Sequence, residues 1–165
     1  MVKDILKVSL KIIIVIIAYI LQLFVVNNTH FFGVTGDLCL MAVVVITIVE
    51  KNHIAYSAAA ICGIISDMLF SRVVGKYIAI YIIIVSVLLG LKKLYKEDNK
   101  VAIIIFSSLA VAICEILLYI FNLVITGNMV NLFVFILNIL KQSVINICFA
   151  YIIYFLFNAL RRKGE

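Results

Sequence analysis

Proline and tryptophan are absent from this sequence, and only 13% of its residues are charged. The scarcity of charge, set against 67% hydrophobic residues and a mean hydropathy of +1.30, excludes a soluble domain, whose surface needs far more polar cover. The chain reads as an integral membrane protein. Catalytic signatures are missing too: there is no His-Glu-x-x-His, no Gly-x-Ser-x-Gly, and no glycine-rich loop leading to a lysine that would cradle phosphates. What acids remain are scattered. The cysteines Cys39, Cys62, Cys114 and Cys148 all fall in apolar runs without the close spacing of a metal or redox pair, and read as small hydrophobes. His30 and His53 are placed in loops on opposite faces of the membrane, which leaves no shared metal site.

What is present in abundance is apolar sequence. With 165 residues and about 20 needed for each crossing, at most about seven spans fit, with nothing left for a soluble domain. The runs predict six helices, at 8–26, 37–50, 54–70, 77–91, 101–125 and 132–160, in one compact all-α bundle without internal repeats. The second and fourth are short, and the second is able to extend through Glu50 and Lys51 if those side chains snorkel. The first follows Lys3, Lys7 and Lys11, lacks a small-residue cleavage site and is read as a retained helix, not a secretion signal. The hydrophilic connection 92–100, KKLYKEDNK, divides four helices from two.

Basic residues orient the bundle, because Lys and Arg resist translocation. With the N-terminus inside, the inner face carries Lys3, Lys7, Lys11, Lys51, Lys92, Lys93, Lys96, Lys100, Arg161, Arg162 and Lys163, whereas the outer face carries only Arg72 and Lys76. Both termini are therefore expected in the cytoplasm, with an even number of spans. The net charge of +6 is then explained by topology and by attraction to anionic lipid heads, without nucleic acid.

A few polar residues interrupt the apolar runs, and each needs a partner or a wet surface, since a charge at a helix centre costs about 2.5 to 3.5 kcal/mol on insertion scales. Asp67 lies near the outer end of the third predicted helix, after Ala55, Ala59 and Gly63 at four-residue spacing. Such a stripe lets a neighbouring helix approach closely and presses Asp67 against protein, where backbone N–H groups of the following loop, or Arg72 and Lys76, can satisfy it. A structural carboxylate fixing the turn between helices is favoured over proton or substrate chemistry. Glu115 and Lys141 lie thirteen residues either side of Asn128, so a symmetric hairpin pairs them at one depth, in a contact that sets register; a last span starting near 140 instead leaves Lys141 to snorkel. Asp37, after Thr35 and Gly36, is a helix cap. Glu50 is a solvated interface charge, and Asn138 and Asn146 are candidates for hydrogen bonds across helices.

The stretch GIISDMLFSRVVG, Gly63 to Gly75, resembles the signature region of the MreD family of the bacterial rod-shape system, which pairs a Gly-x-x-x-Asp helix end with a glycine eight residues beyond the aspartate. The upstream FGVTGDLCLMAVV, Glu115 and Asn146 are similar to further family positions, so the likeness spans nearly the whole chain. Gly36 stands where the family usually has proline, Ser71 where it usually has glycine, and a proline common in the last helix is missing. The resemblance implies a non-enzymatic component of the cell-elongation machinery in the bacterial cytoplasmic membrane, with no cofactor and no metal. Its implied partners are a single-pass MreC-like protein, a RodA-type glycosyltransferase with its class B penicillin-binding protein, and indirectly the MreB filament, so that it helps organise or regulate peptidoglycan synthesis. A rival from another class is the substrate-binding component of an energy-coupling vitamin transporter, in which Asp67, Arg72 and Asn146 would line a pocket. Against it, the first predicted helix lacks the small-residue docking stripe expected of that family. An intramembrane enzyme ranks last, for want of paired catalytic groups.

Overall fold

The computed structural model describes residues 20, 36–71, 73, 75–92, 99–127 and 131–163, and these form five helices and no strand. They are α1 (Leu38–Val49), α2 (Asn52–Phe70), α3 (Lys76–Lys92), α4 (Asn99–Thr126) and α5 (Leu132–Lys163). The predicted run 8–26 lies outside the described residues, apart from the helical Ile20. Helices α4 and α5 contain segments long and apolar enough to cross a membrane, Val101–Ile125 and Leu132–Ala159.

Helix α1 is the axis of the bundle. Its sequence, LCLMAVVVITIV, is apolar on every side, and a helix of that kind is stable only when surrounded. Every residue from Leu38 to Ile48 is buried, and α2, α3, α4 and α5 all pack on it. The β-branched run disfavours helix intrinsically, so burial rather than propensity sets its conformation. Thr47, buried among these side chains, returns its hydroxyl to the Val43 carbonyl at 2.7 Å.

The helix does not extend through Glu50 and Lys51. Glu50 is extended (φ −103°, ψ 176°), because the chain must reverse before α2 begins at Asn52. The Lys92 ammonium crosses from α3 to the end of α1, donating to the carbonyls of Thr47 at 2.8 Å and Glu50 at 2.9 Å. A cation thus meets the negative end of the α1 dipole.

Around α1, α2 packs on α3, α3 on α4, and α4 on α5. Ala55, Ala59 and Gly63 of α2 are all buried, and a Cβ at Gly63 would stand 2.6 Å from the Ile78 Cα of α3. At Gly63 the small-residue stripe therefore receives a helix of the same chain. Tyr56 and Ser86 add a hydroxyl contact of 3.2 Å between the two helices. The α4–α5 hairpin closes near its turn with Tyr119 against Phe135, ring centroids 5.0 Å apart.

Candidate functional site

Two aspartates, each capping a helix start, organise one end of the bundle. The N-terminus of α3 needs partners for its first N–H groups, yet the residue at its cap position, Gly75, has no side chain to offer. Gly75 must be glycine because its φ is +96°, a left-handed conformation that side-chain-bearing residues rarely adopt. Asp67, from the preceding helix, does the capping. Its Oδ1 accepts from the Tyr77 N–H at 2.8 Å, and its Oδ2 from the N–H groups of Gly75 at 3.0 Å and Ile78 at 3.3 Å. The carboxylate is only 3% exposed, and its charge faces the positive end of the α3 dipole. Lys76 does not approach it in this role: its ammonium lies 4.9 Å from the Tyr77 ring centroid. Arg72 lies outside the described residues.

Asp37 caps α1 in the ordinary way, its Oδ1 accepting from the Leu40 N–H at 2.9 Å. Its other contacts reach across the bundle. Oδ2 accepts from the Tyr81 hydroxyl of α3 at 2.9 Å, and the Asp37 N–H donates to the Asn146 Oδ1 of α5 at 2.8 Å. Since the Tyr81 proton goes to the carboxylate, the 3.3 Å contact between Tyr81 and Ser66 has the serine as donor. Polar contacts thus run from Asn146 of α5 through Asp37 and Tyr81 of α3 to Ser66 of α2, the residue before Asp67. The Asp37 N–H also fixes which way the Asn146 amide faces. Its Nδ2 points away from that bond and is buried without a protein partner.

Glu115 and Lys141 are not brought together as the symmetric hairpin predicted. The hydrogen-bond partner of the half-buried Glu115 is Gln142, one residue beyond the expected lysine, and Lys141 is exposed. One residue turns a helix by about 100°, which carries Lys141 off the face that meets α4. Nor does the last helix begin near residue 140; it is continuous from Leu132. Asn138 is exposed, and His53 lies in the first turn of α2, not in a loop. Tyr81 and Gln142 were not singled out from the sequence, and Lys92 figured there only as an inner-face charge. The one available signal was that a tyrosine or lysine within an apolar run must find a partner for its polar end.

Among the described residues no group of three His, Cys, Asp or Glu side chains could hold a metal ion. Cys39, Cys62 and Cys114 are buried and free, and Cys148 is free and exposed. Every oxygen of Asp37 and Asp67 is engaged by a donor of the chain itself. What this arrangement does physically is lock helix ends to one another.

These features define a helical membrane protein whose two aspartates, one buried and one part-buried, cap its own helices. A family model described as rod shape-determining protein MreD matches residues 2–163, and the chain belongs to that family. Comparison with curated proteins and with solved structures gave no match. Gly36 packs so closely on Phe149 that a Cβ there would collide with the ring.

Proposed function

We propose that this chain is a non-enzymatic, multi-pass component of the bacterial cell-elongation machinery in the cytoplasmic membrane. It binds an MreC-like single-pass protein and helps organise or regulate peptidoglycan synthesis by a RodA-type glycosyltransferase and its class B penicillin-binding protein, with the MreB filament engaged indirectly. The observation that carries this reading is the family match across residues 2–163. The geometry supports a scaffolding role, because both aspartates are engaged by the chain's own N–H and O–H groups. The small-residue stripe is buried within the chain, with α3 against Gly63, so partner helices meet other faces.

Affinity purification from a native membrane tests the reading. An MreC-like coiled-coil protein should copurify, and an Asp67→Ala variant that still reaches the membrane should lose that partner as the α2–α3 end loosens. Association with a paired ATPase module, or a stoichiometric vitamin extracted from the purified protein, would assign it to transport instead.

A further inference from the structure

The bundle is flush at one end and stepped at the other. At the flush end, the bonds from Lys92 to the carbonyls of Thr47 and Glu50 set the ends of α1 and α3 level, and α2 starts just after α1 stops. At the other end Tyr81 and Asn146 both meet Asp37 and so share one height. Above Tyr81, α3 runs only to Lys76, about 8 Å at 1.5 Å per residue, whereas above Asn146, α5 runs to Leu132, about 21 Å. The α4–α5 hairpin overhangs the α2–α3 turn by about 13 Å.

Among the described residues the overhang is apolar and exposed. Leu132, Phe133, Ile136 and Leu137 of α5 and Val124 and Ile125 of α4 are exposed, Phe133 to 75% and Val124 to 78%. No charge occurs between Glu115 and Lys141. Apart from Asn122 and Asn138, residues 116–125 and 132–140 are all large aliphatic or aromatic side chains. That composition is unlike the face of α2 that receives a helix, where Ala55, Ala59 and Gly63 allow close approach. Because α4 packs on α3 and both α4 and α5 pack on α1, the two hairpins tilt as one body and do not slide past one another to level the step.

We propose that the outward surface of this overhang is a lipid-docking surface that takes long acyl chains, so that the bilayer is thicker beside α4 and α5 than beside α2 and α3. The apolar segments of α4 and α5, 25 and 28 residues, span about 37 and 42 Å, against about 28 and 26 Å for the whole of α2 and α3 and a typical hydrocarbon core of about 30 Å. A bilayer adapts to such a mismatch by local thickening and by sorting of its lipids.

The absence of natural tryptophan makes single reporters possible. Phe133→Trp and Val124→Trp place one on each helix of the overhang, and Ile83→Trp places a control on the exposed side of α3. Each purified protein is reconstituted into phosphatidylcholine vesicles of short, medium or long monounsaturated chains. Emission from the overhang reporters should move to shorter wavelength as the chains lengthen, and brominated long-chain lipid should quench them several-fold more effectively than brominated short-chain lipid in mixed vesicles. The control should stay blue throughout. Red emission quenched by iodide at every chain length would overturn the proposal by placing the overhang in water. Blue emission that no brominated lipid quenches would overturn it too, since protein would then cover the face.

Discussion

A Cβ at position 63 would lie 2.6 Å from the Ile78 Cα and 3.0 Å from its nitrogen, and backbone atoms of a packed helix do not swing aside. At Gly75 nothing lies within 4 Å, and only the φ of +96° resists a side chain. The two glycines should therefore respond to substitution by different rules. At 63, loss of thermal stability in detergent should grow with volume from Ala to Val to Leu, beginning at about 1–3 kcal/mol for Ala. At 75, Ala should cost about 1–2 kcal/mol and Asn less, because Asn visits the left-handed region more readily. A ranking by volume at both positions would mean that Gly75 is packed rather than turned. The spacing Gly63, Asp67, Gly75 was legible in the sequence because all its parts lie within thirteen residues. Asp37 was legible only as a local cap: its contacts with Tyr81 and Asn146 are 44 and 109 positions distant, and no local pattern announces them.

At the scale of elements, apolar runs announce helices but not the angle at which two helices face. The runs at 37–50, 54–70, 77–91, 101–125 and 132–160 correspond to α1 to α5 within a few residues, since in a lipid-like sequence the punctuation falls at Asp37, Lys51, Lys76 and the 92–100 connection. Register was less legible. Counting outward from Asn128 places Lys141 opposite Glu115, but a shift of one residue, invisible to hydropathy, substitutes Gln142. A double-mutant cycle on stability measures the difference. Glu115→Ala with Gln142→Ala should show a coupling of about 0.5–1.5 kcal/mol, the size of one hydrogen bond, whereas Glu115→Ala with Lys141→Ala should be additive within about 0.5 kcal/mol. Coupling to Lys141 of the larger size would restore the ion pair and require the hairpin to turn.

For the molecule as a whole, the distribution of positive charge decides orientation, and the fold sorts that charge to one end. Lys51 precedes α2, Lys92 ends α3, Lys93, Lys96 and Lys100 lie in or beside the connection to α4, and Arg161, Arg162 and Lys163 end α5. The other end holds the turn between α2 and α3, with Arg72 and Lys76, and an uncharged turn between α4 and α5. Four helices alternating between these ends bring the chain back to the basic end. By the positive-inside rule the basic end is expected to face the cytoplasm and the two turns to face outward. Single cysteines in a Cys148→Ser background report this directly, since the other native cysteines are buried. Val73→Cys and Asn131→Cys should react with a membrane-impermeant maleimide in intact cells, and Lys51→Cys only after the membrane is opened. Labelling of Lys51→Cys alone in intact cells would invert the molecule. Labelling of Val73→Cys without Asn131→Cys would mean that the long hairpin ends within lipid or under a partner, and that the two turns do not reach the same aqueous phase.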